Sequence, residues 1–254
     1  MQFIKAHCNY NSFLITHKYV HINERQKIFN KAIELNIDGV IFVNMNIDGY
    51  DYKIDYYNNN GTWETWCANG AMCVAKYLYQ EKMITKKASF LAGDGKHKIS
   101  ILDQNGSSVH LKMIKPQYIK NNIDVAEIYG NHIDSGAQHF VSRVDDINIS
   151  DVLKLSQKIR YSTLFSPSGI NVNYYQIINK HLIKTLTYEK EIEKMMQSCA
   201  SGSVASVFDA NNSGYIESPA IINTPGGDIS IEFNQDWSDV WISSVPTIIE
   251  AIDI

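Results

Sequence analysis

Cys67-Ala68-Asn69-Gly70-Ala71-Met72 and Cys199-Ala200-Ser201-Gly202-Ser203-Val204 carry one pattern twice: a cysteine, an alanine, a short polar residue, a glycine and a small residue. Each copy follows a strand-like or polar stretch. Behind the first, Ala71, Val74, Ala75 and Leu78 recur at helical spacing, which predicts a helix from about Ala68 to Lys82. Behind the second, a helix is expected over about Ala200–Ala210, with Gly214 soon after as its stop signal.

A cysteine just before a helix sits beside unpaired backbone N–H groups and the positive end of the helix dipole. That setting lowers a thiol pKa. The same N–H groups can hold a substrate carboxylate, and small residues in the first turn let the substrate approach. If both helices open onto one cleft, a thiolate on one face of an α-carbon and a thiol on the other can invert it with no cofactor. A lone free cysteine is usually a small apolar filler, and Cys8 and Cys73 keep that reading. Packing alone does not require the same helix-opening context twice, so Cys67 and Cys199 are the candidate acid and base.

The surrounding chain has 254 residues, 44% hydrophobic and 20% charged, with a formal net charge of −4. That composition suits a globular protein and argues against a basic nucleic-acid-binding face. No apolar run reaches the length of a membrane span, and the opening Met1-Gln2-Phe3-Ile4-Lys5 stretch is too polar for a signal peptide, so a cytoplasmic location is expected. The four cysteines form no Cys-x-x-Cys pair, so neither a metal site nor a disulfide framework is expected.

Strands are expected at Met1–Lys5, Ser12–Thr16, Gly39–Val43 and Tyr50–Tyr57, with a helix over His21–Leu35 between the second and third. Lys96–Leu102 and Ser108–Met113 read as a hairpin joined by Asp103-Gln104-Asn105-Gly106. Lys115–Asn122 shows little periodicity and reads as a domain crossing. Beyond it come a strand (Gly136–Val144), a helix (Val152–Ile159), strands at Ile170–Ile178 and Leu182–Glu189, and three closing strands. The chain therefore reads as an α+β duplication of two pseudo-symmetric domains. Residues 1–116 with 246–254 carry Cys67, and residues 117–245 carry Cys199.

Taken in order, several segments resemble the motifs of the diaminopimelate epimerase family. Lys5-Ala6-His7-Cys8-Asn9-Tyr10-Asn11-Ser12-Phe13 resembles its opening Lys-x-His-Gly-x-Gly-Asn-Asp-Phe, Asp38-Gly39 its Ala-Asp-Gly turn, and Tyr57–Gly61 its Phe-Asn-Ala-Asp-Gly. Cys67–Cys73 resembles Cys-Gly-Asn-Gly-Ala-Arg-Cys, Gly136–His139 resembles Gly-Asn-Pro-His, and Gly169–Val172 resembles Gly-Val-Asn-Val. Cys199–Gly202 resembles the second Cys-Gly-Thr-Gly, and Pro225-Gly226-Gly227 matches Pro-Gly-Gly. The resemblance implies a fold in which each domain wraps a mixed or antiparallel sheet around a central helix. It implies proton transfer by Cys67 and Cys199 without pyridoxal phosphate or any other cofactor. Ala68, Asn69, Gly70, Ala200, Ser201 and Gly202 would cradle the substrate carboxylate. Asn11, Asn58 and Asn171 would contact the substrate, Glu189 would hold its amino group, and His139 would stand beside the catalytic centre. The implied partner is a small amino-acid substrate, and a homodimer is compatible with it.

The departures concern the substrate more than the chemistry. Alanine replaces the glycine after each cysteine, Met72 the arginine, and Ala137 the asparagine of Gly-Asn-Pro-His. The family's Glu-Arg-Gly-x-Gly-Glu-Thr run has become Glu189-Lys190-Glu191-Ile192-Glu193-Lys194-Met195, with one extra residue before the second cysteine. Lys190 keeps the arginine's charge but not its bidentate fork. Retained Glu189, Asn58 and Asn171 favour LL-diaminopimelate as substrate; Ala137, Lys190 and the missing glycines favour another amino acid, such as histidine.

Overall fold

The computed structural model describes residues 1–103, 105–147 and 149–254. The chain divides into two compact units, Met1–Lys112 with Ser243–Ile254, and Met113–Ile242. In the first, β1 (Gln2–Cys8) and β2 (Asn11–Thr16) lead through α1 (Ile22–Glu34) to β3 (Gly39–Asn44), β4 (Tyr52–Asn58) and the short β5 (Trp63–Glu64). Then follow α2 (Ala68–Gln80), β6 (Lys87–Ala92), β7 (Gly95–Ile101) and β8 (Val109–Met113). In the second unit, β9 (Gln117–Val125), β10 (Ile128–Asp134) and β11 (Gln138–Arg143) lead through α3 (Ile149–Arg160) to β12 (Asn171–Asn179), β13 (Leu182–Glu189) and the short β14 (Lys194–Met196). There follow α4 (Ala200–Asn212), β15 (Ala220–Thr224) and β16 (Gly227–Phe233), before β17 (Val240–Ser244) and β18 (Thr247–Asp253) end the chain.

The duplication extends well beyond the cysteine motifs. β1–β2, β3–β4, β4–β5 and β6–β7 pair antiparallel, while β2–β3 and β4–β6 pair parallel. The second unit repeats each sense: β10–β11, β12–β13, β13–β14 and β15–β16 are antiparallel, β11–β12 and β13–β15 parallel. Parallel neighbours need a crossover, and a helix supplies each one: α1 and α3 for the first pair, α2 and α4 for the second. Each unit is therefore a mixed sheet curled about a central helix, in an α+β fold.

The central helices are buried almost all round, which their composition permits. From Ala68 to Ala75 every residue of α2 is buried, and the side chains there are small apart from Asn69, Met72 and Val74. In α4, Ala200 and every residue from Gly202 to Ala210 are buried. A helix enclosed by a sheet has no polar face to present. The outer helices are amphipathic instead. Ile28, Phe29 and Ala32 of α1 join Phe3, Leu14, Val40 and Phe42 in one apolar cluster. Val152 and Ile159 of α3 join Phe140, Val172 and Tyr174 in its counterpart. Burying one such aliphatic or aromatic side chain contributes about 1.5–3 kcal/mol.

The cysteine-bearing helices begin where the sequence places them, and α4 runs two residues further than expected. Lys115–Asn122, read as irregular, lies largely within β9; only Ile123 and Val125 of that strand are buried, so no alternation marks it. β18 escapes for the same reason, since none of its residues is buried. Gln104, in the connection expected to join a hairpin, lies outside the described residues; β7 and β8 do pair antiparallel around it. Among the described residues no helix is long and apolar enough to cross a membrane.

Candidate active site

Cys67 and Cys199 occupy equivalent backbone positions. Each is the residue capping its central helix at the N-terminus, with φ −140°, ψ 122° at Cys67 and φ −139°, ψ 111° at Cys199. Neither Cys67 nor Cys199 is in a disulfide and both are partly exposed, whereas Cys8 and Cys73 are buried. Burial raises the thiol pKa of Cys8 to about 11 and that of Cys73 well above its ordinary value. Both stay protonated fillers.

In the first unit, the Cys67 thiol donates to Asn11 Oδ1 at 3.6 Å, and Asn69 Nδ2 reaches the same oxygen at 3.5 Å. Asn11 is held from its other end, where Nδ2 donates to Asp38 Oδ2 at 3.2 Å. That oxygen also accepts the Ser12 N–H at 2.8 Å and the Ser12 hydroxyl at 3.0 Å. Asp38 thus fixes the carbonyl that faces Cys67, a role the sequence showed only as part of an Asp-Gly turn. The Oδ1 of buried Asn69 has no protein donor. Asn58 has both ends engaged: Tyr56 donates to its Oδ1 at 3.0 Å, and its Nδ2 donates to Glu64 Oε1 at 3.2 Å.

In the second unit, a chain of hydrogen bonds runs back from Cys199. Its sulfur lies 3.6 Å from Ser201 Oγ, which lies 3.0 Å from His139 Nε2. His139 Nδ1 is 2.7 Å from Asn173 Oδ1, and Asn173 Nδ2 donates to Thr187 Oγ1 at 2.7 Å. Because Asn173 presents its oxygen, neutral His139 carries its proton on Nδ1 and accepts the Ser201 hydroxyl at Nε2. Ser135 donates to the Ser201 carbonyl at 2.8 Å. His139 is completely buried, so it stands behind Ser201 rather than at an exposed surface. Ser135, Asn173 and Thr187 did not stand out in sequence. The signal for Asn173 was its alternation with Asn171, which puts two amides on one face of β12.

Asn171 accepts the Lys190 backbone N–H at 3.0 Å, and the Lys190 ammonium lies 3.5 Å from Glu191 Oε1. Glu189 is close enough to Cys199 for its charge to oppose ionisation of the thiol. Burial and then Glu189 push Cys199 up to about 12, against the pull of the Gly202 and Ser201 N–H groups and the Ser201 hydroxyl. A helix N-terminus was expected to acidify both thiols; at Cys199 desolvation and a neighbouring carboxylate outweigh it. Cys199 therefore rests as a thiol at neutral pH.

The glycines of the two motifs lie close against side chains of the sheet. A Cβ on Gly70 would lie 2.6 Å from Ile41 Cδ1, and one on Gly202 would overlap Asn173 Nδ2. Ala68 and Ala200 are also buried. Among the described residues, no group of three or more His, Cys, Asp or Glu side chains is placed to hold a metal ion.

Burial lowers the His139 pKa to about 4, against the hydrogen bond that its Nδ1 donates to Asn173 and the charge of Asp134. Below pH 6.5 the unfolded chain takes up a proton that the folded chain refuses, so stability falls as pH drops from 6.5 toward 4. The expected loss is about 3 kcal/mol. His7, also lowered by burial, adds to the same slope. Urea midpoints measured between pH 5 and 8 should fall toward acid, with a shallower slope in a His139→Gln variant. An unchanged slope in that variant would show that His139 does not titrate in this way.

No family model matches the chain. Individual proteins do. The diaminopimelate epimerase of Thermotoga maritima is 32% identical over 228 residues, covering 88% of this chain and 90% of that protein. That of Archaeoglobus fulgidus is 28% identical over 255 residues, covering 92% and 90%, and that of Flavobacterium psychrophilum 29% over 214, covering 83% and 80%. Among solved structures, a PhzF-family phenazine biosynthesis protein of Bacillus anthracis superposes with a TM-score of 0.76 at 11% identity, over 100% of this chain and 98% of that one. A hydroxyproline epimerase of Agrobacterium vitis gives 0.73 at 13% identity, over 100% and 90%. At such identities these two speak for the fold alone. The full-length similarity to the Thermotoga maritima protein, on a duplicated fold with a cysteine opening each central helix, places the chain in the diaminopimelate epimerase family, as an isomerase that epimerises its substrate.

Proposed function

We propose that the protein inverts the α-carbon of an amino acid by a two-cysteine acid–base mechanism, converting LL- to meso-diaminopimelate for lysine and peptidoglycan precursor synthesis. The observation that carries this proposal is the matched station of Cys67 and Cys199, each at the N-terminus of a buried central helix. One sulfur removes the α-proton as a thiolate while the other, on the opposite face of the carbon, donates a proton. The N–H groups of both first turns, at Ala68, Asn69 and Gly70 and at Ala200, Ser201 and Gly202, bind the carboxylate, those of Ser201 and Gly202 being shared with the Cys199 sulfur. They also stabilise the negative charge that spreads onto it as the proton leaves. Cys199, resting as a thiol, is the donor in one direction. The thiolate it leaves behind accepts from the Ser201 hydroxyl and from the Ser201 and Gly202 N–H groups. Asn11, Asn58, Asn171, Glu189 and Lys190 contact the rest of the substrate. His139 acts through Ser201. No cofactor enters the reaction.

A second substrate, another amino acid such as histidine, is favoured by specific contacts. The Lys190 ammonium lies beside Glu191, and one N–H of the Asn58 amide is given to Glu64, so a distal carboxylate at either donor would meet a neighbouring acid. Ala137 adds no third donor. The deciding experiment incubates the protein in deuterated water, under reducing conditions and without cofactor, with LL-diaminopimelate and separately with a panel of L-amino acids. Deuterium at the α-carbon and a shifting stereoisomer ratio are expected with LL-diaminopimelate. Turnover of a different amino acid alone would transfer the assignment to the second substrate, and exchange with none would sink the mechanism.

A further inference from the structure

The loop from Glu189 to Lys194 bends twice in a way that residues with a Cβ resist. Glu191 has φ +71° and Glu193 φ +56°, both left-handed. The stretch resembles the family's Glu-Arg-Gly-x-Gly run, with one extra residue, and here residues with a Cβ make bends that glycine adopts freely.

What holds them is the side chain of Glu193. Its Oε1 accepts from Arg160 Nε at 3.0 Å, lies 3.0 Å from Arg160 Nη2, and accepts the Glu191 backbone N–H at 2.9 Å. Its Oε2 accepts the Tyr188 hydroxyl at 3.2 Å, and the Tyr161 hydroxyl donates to the same carboxylate. Burial alone would raise the Glu193 pKa; the Glu191 N–H, Tyr161, Arg160 and Tyr188 together bring it below its ordinary value. The Arg160 side chain is only 11% exposed. Its guanidinium fills space left open by Gly169, where a Cβ would overlap it. Gly169 lies two residues before Asn171, and Asn171 accepts the Lys190 N–H at 3.0 Å. One ion pair thus ties the end of α3, the turn before β12 and the loop that starts at Glu189 and Lys190.

We infer that Arg160 and Glu193 form a positioning latch, which replaces glycine's conformational freedom with an anchored carboxylate and so aims Glu189 and Lys190 at the substrate. Neither latch residue touches substrate, and in this the inference rests on the contacts proposed for Glu189 and Lys190. A merely stabilising ion pair would leave KM and the Lys190 amide unchanged when Glu193 is replaced. A latch makes both change in Glu193→Ala and recover in Glu193→Gly, because glycine accepts the bend unaided.

Two measurements test it. Without substrate, the Lys190 amide should exchange with solvent roughly 10-fold faster in Glu193→Ala than in wild type, with glycine at 193 closer to wild type. With the substrate that turns over, Glu193→Ala should raise KM about 10-fold with kcat within about 3-fold, Glu193→Gly should recover most of that loss, and Arg160→Gln should resemble Glu193→Ala. The double variant Arg160→Gln/Glu193→Ala should be no worse than either single change. Should Glu193→Ala fold poorly, Arg160→Gln carries the same test. Wild-type amide exchange in these variants would overturn the latch, and faster exchange with unchanged KM would overturn its role at the site. If the wild type turned over no amino acid, the proposed function would fail while the amide measurement still decided the latch.

Discussion

Alanine in place of Cys67 or of Cys199 is expected to slow inversion by about 10³-fold, the scale on which a positioned acid or base contributes. The more telling outcome lies in what remains. A variant with one thiol can still remove the α-proton from the stereoisomer that presents it to the surviving sulfur, and can return a deuteron to the same face. Solvent exchange should therefore outlive inversion. The two variants should exchange opposite stereoisomers, because each keeps the sulfur on a different face. Proton NMR of the α-position in deuterated water, with chiral separation of the products, reads both quantities. Unimpaired inversion in either variant, or exchange of the same stereoisomer by both, would refute the two-base mechanism.

Gly202→Ala is expected to be a damaging change, and Gly70→Ala, its counterpart in the repeat, a mild one. Both glycines sit in a helix, where alanine gains about 1 kcal/mol of propensity. At Gly70 the new methyl meets the tip of Ile41, 2.6 Å away at Cδ1, and an isoleucine tip can move. At Gly202 it meets the Asn173 amide, which is pinned between His139 at 2.7 Å and Thr187 at 2.7 Å. Overpacking of about 1–3 kcal/mol then adds to the loss of buried hydrogen bonds, about 1–3 kcal/mol more. The net expectation is about 1–5 kcal/mol lost at Gly202 and near zero at Gly70. The displaced amide would also release His139 and with it Ser201, so turnover should fall in Gly202→Ala beyond any unfolded fraction. Urea unfolding and exchange rates of the two variants compared side by side check both statements. Equal stabilities would show that the Asn173 network does not constrain the helix.

Much of this organisation could be read from the chain. Small residues follow each cysteine because a helix enclosed by a sheet admits little else, and that constraint leaves the same signature at Ala68–Ala75 and at Ala200–Ala210. Strands with one buried face, such as β4 with its buried Tyr52, Ile54 and Tyr56, show the alternation that identifies them. β9 and β18 bury too few side chains to alternate, and pairing with a neighbour, which no residue type announces, makes them strands. The partners of the polar site residues were likewise out of view. Asp38 lies 27 positions from Asn11, His139 lies 34 from Asn173 and 62 from Ser201. Only the register of the sheets and the direction of the helices bring them together.

By itself the sequence determined the repeated fold and the two cysteines at its helix starts. These follow from local composition and spacing, which act on the backbone wherever the segment lies. The tertiary structure decided what each thiol experiences. Cys199 rests protonated, since burial and Glu189 outweigh the helix terminus that would acidify it. Gly70 and Gly202 lie close against Ile41 and Asn173. Glu191 and Glu193 hold bends that glycine would normally take, since Arg160, from the end of a helix more than thirty positions earlier, anchors Glu193. Desolvation, charge and steric exclusion depend on neighbours in space, and those neighbours exist only once the chain has folded.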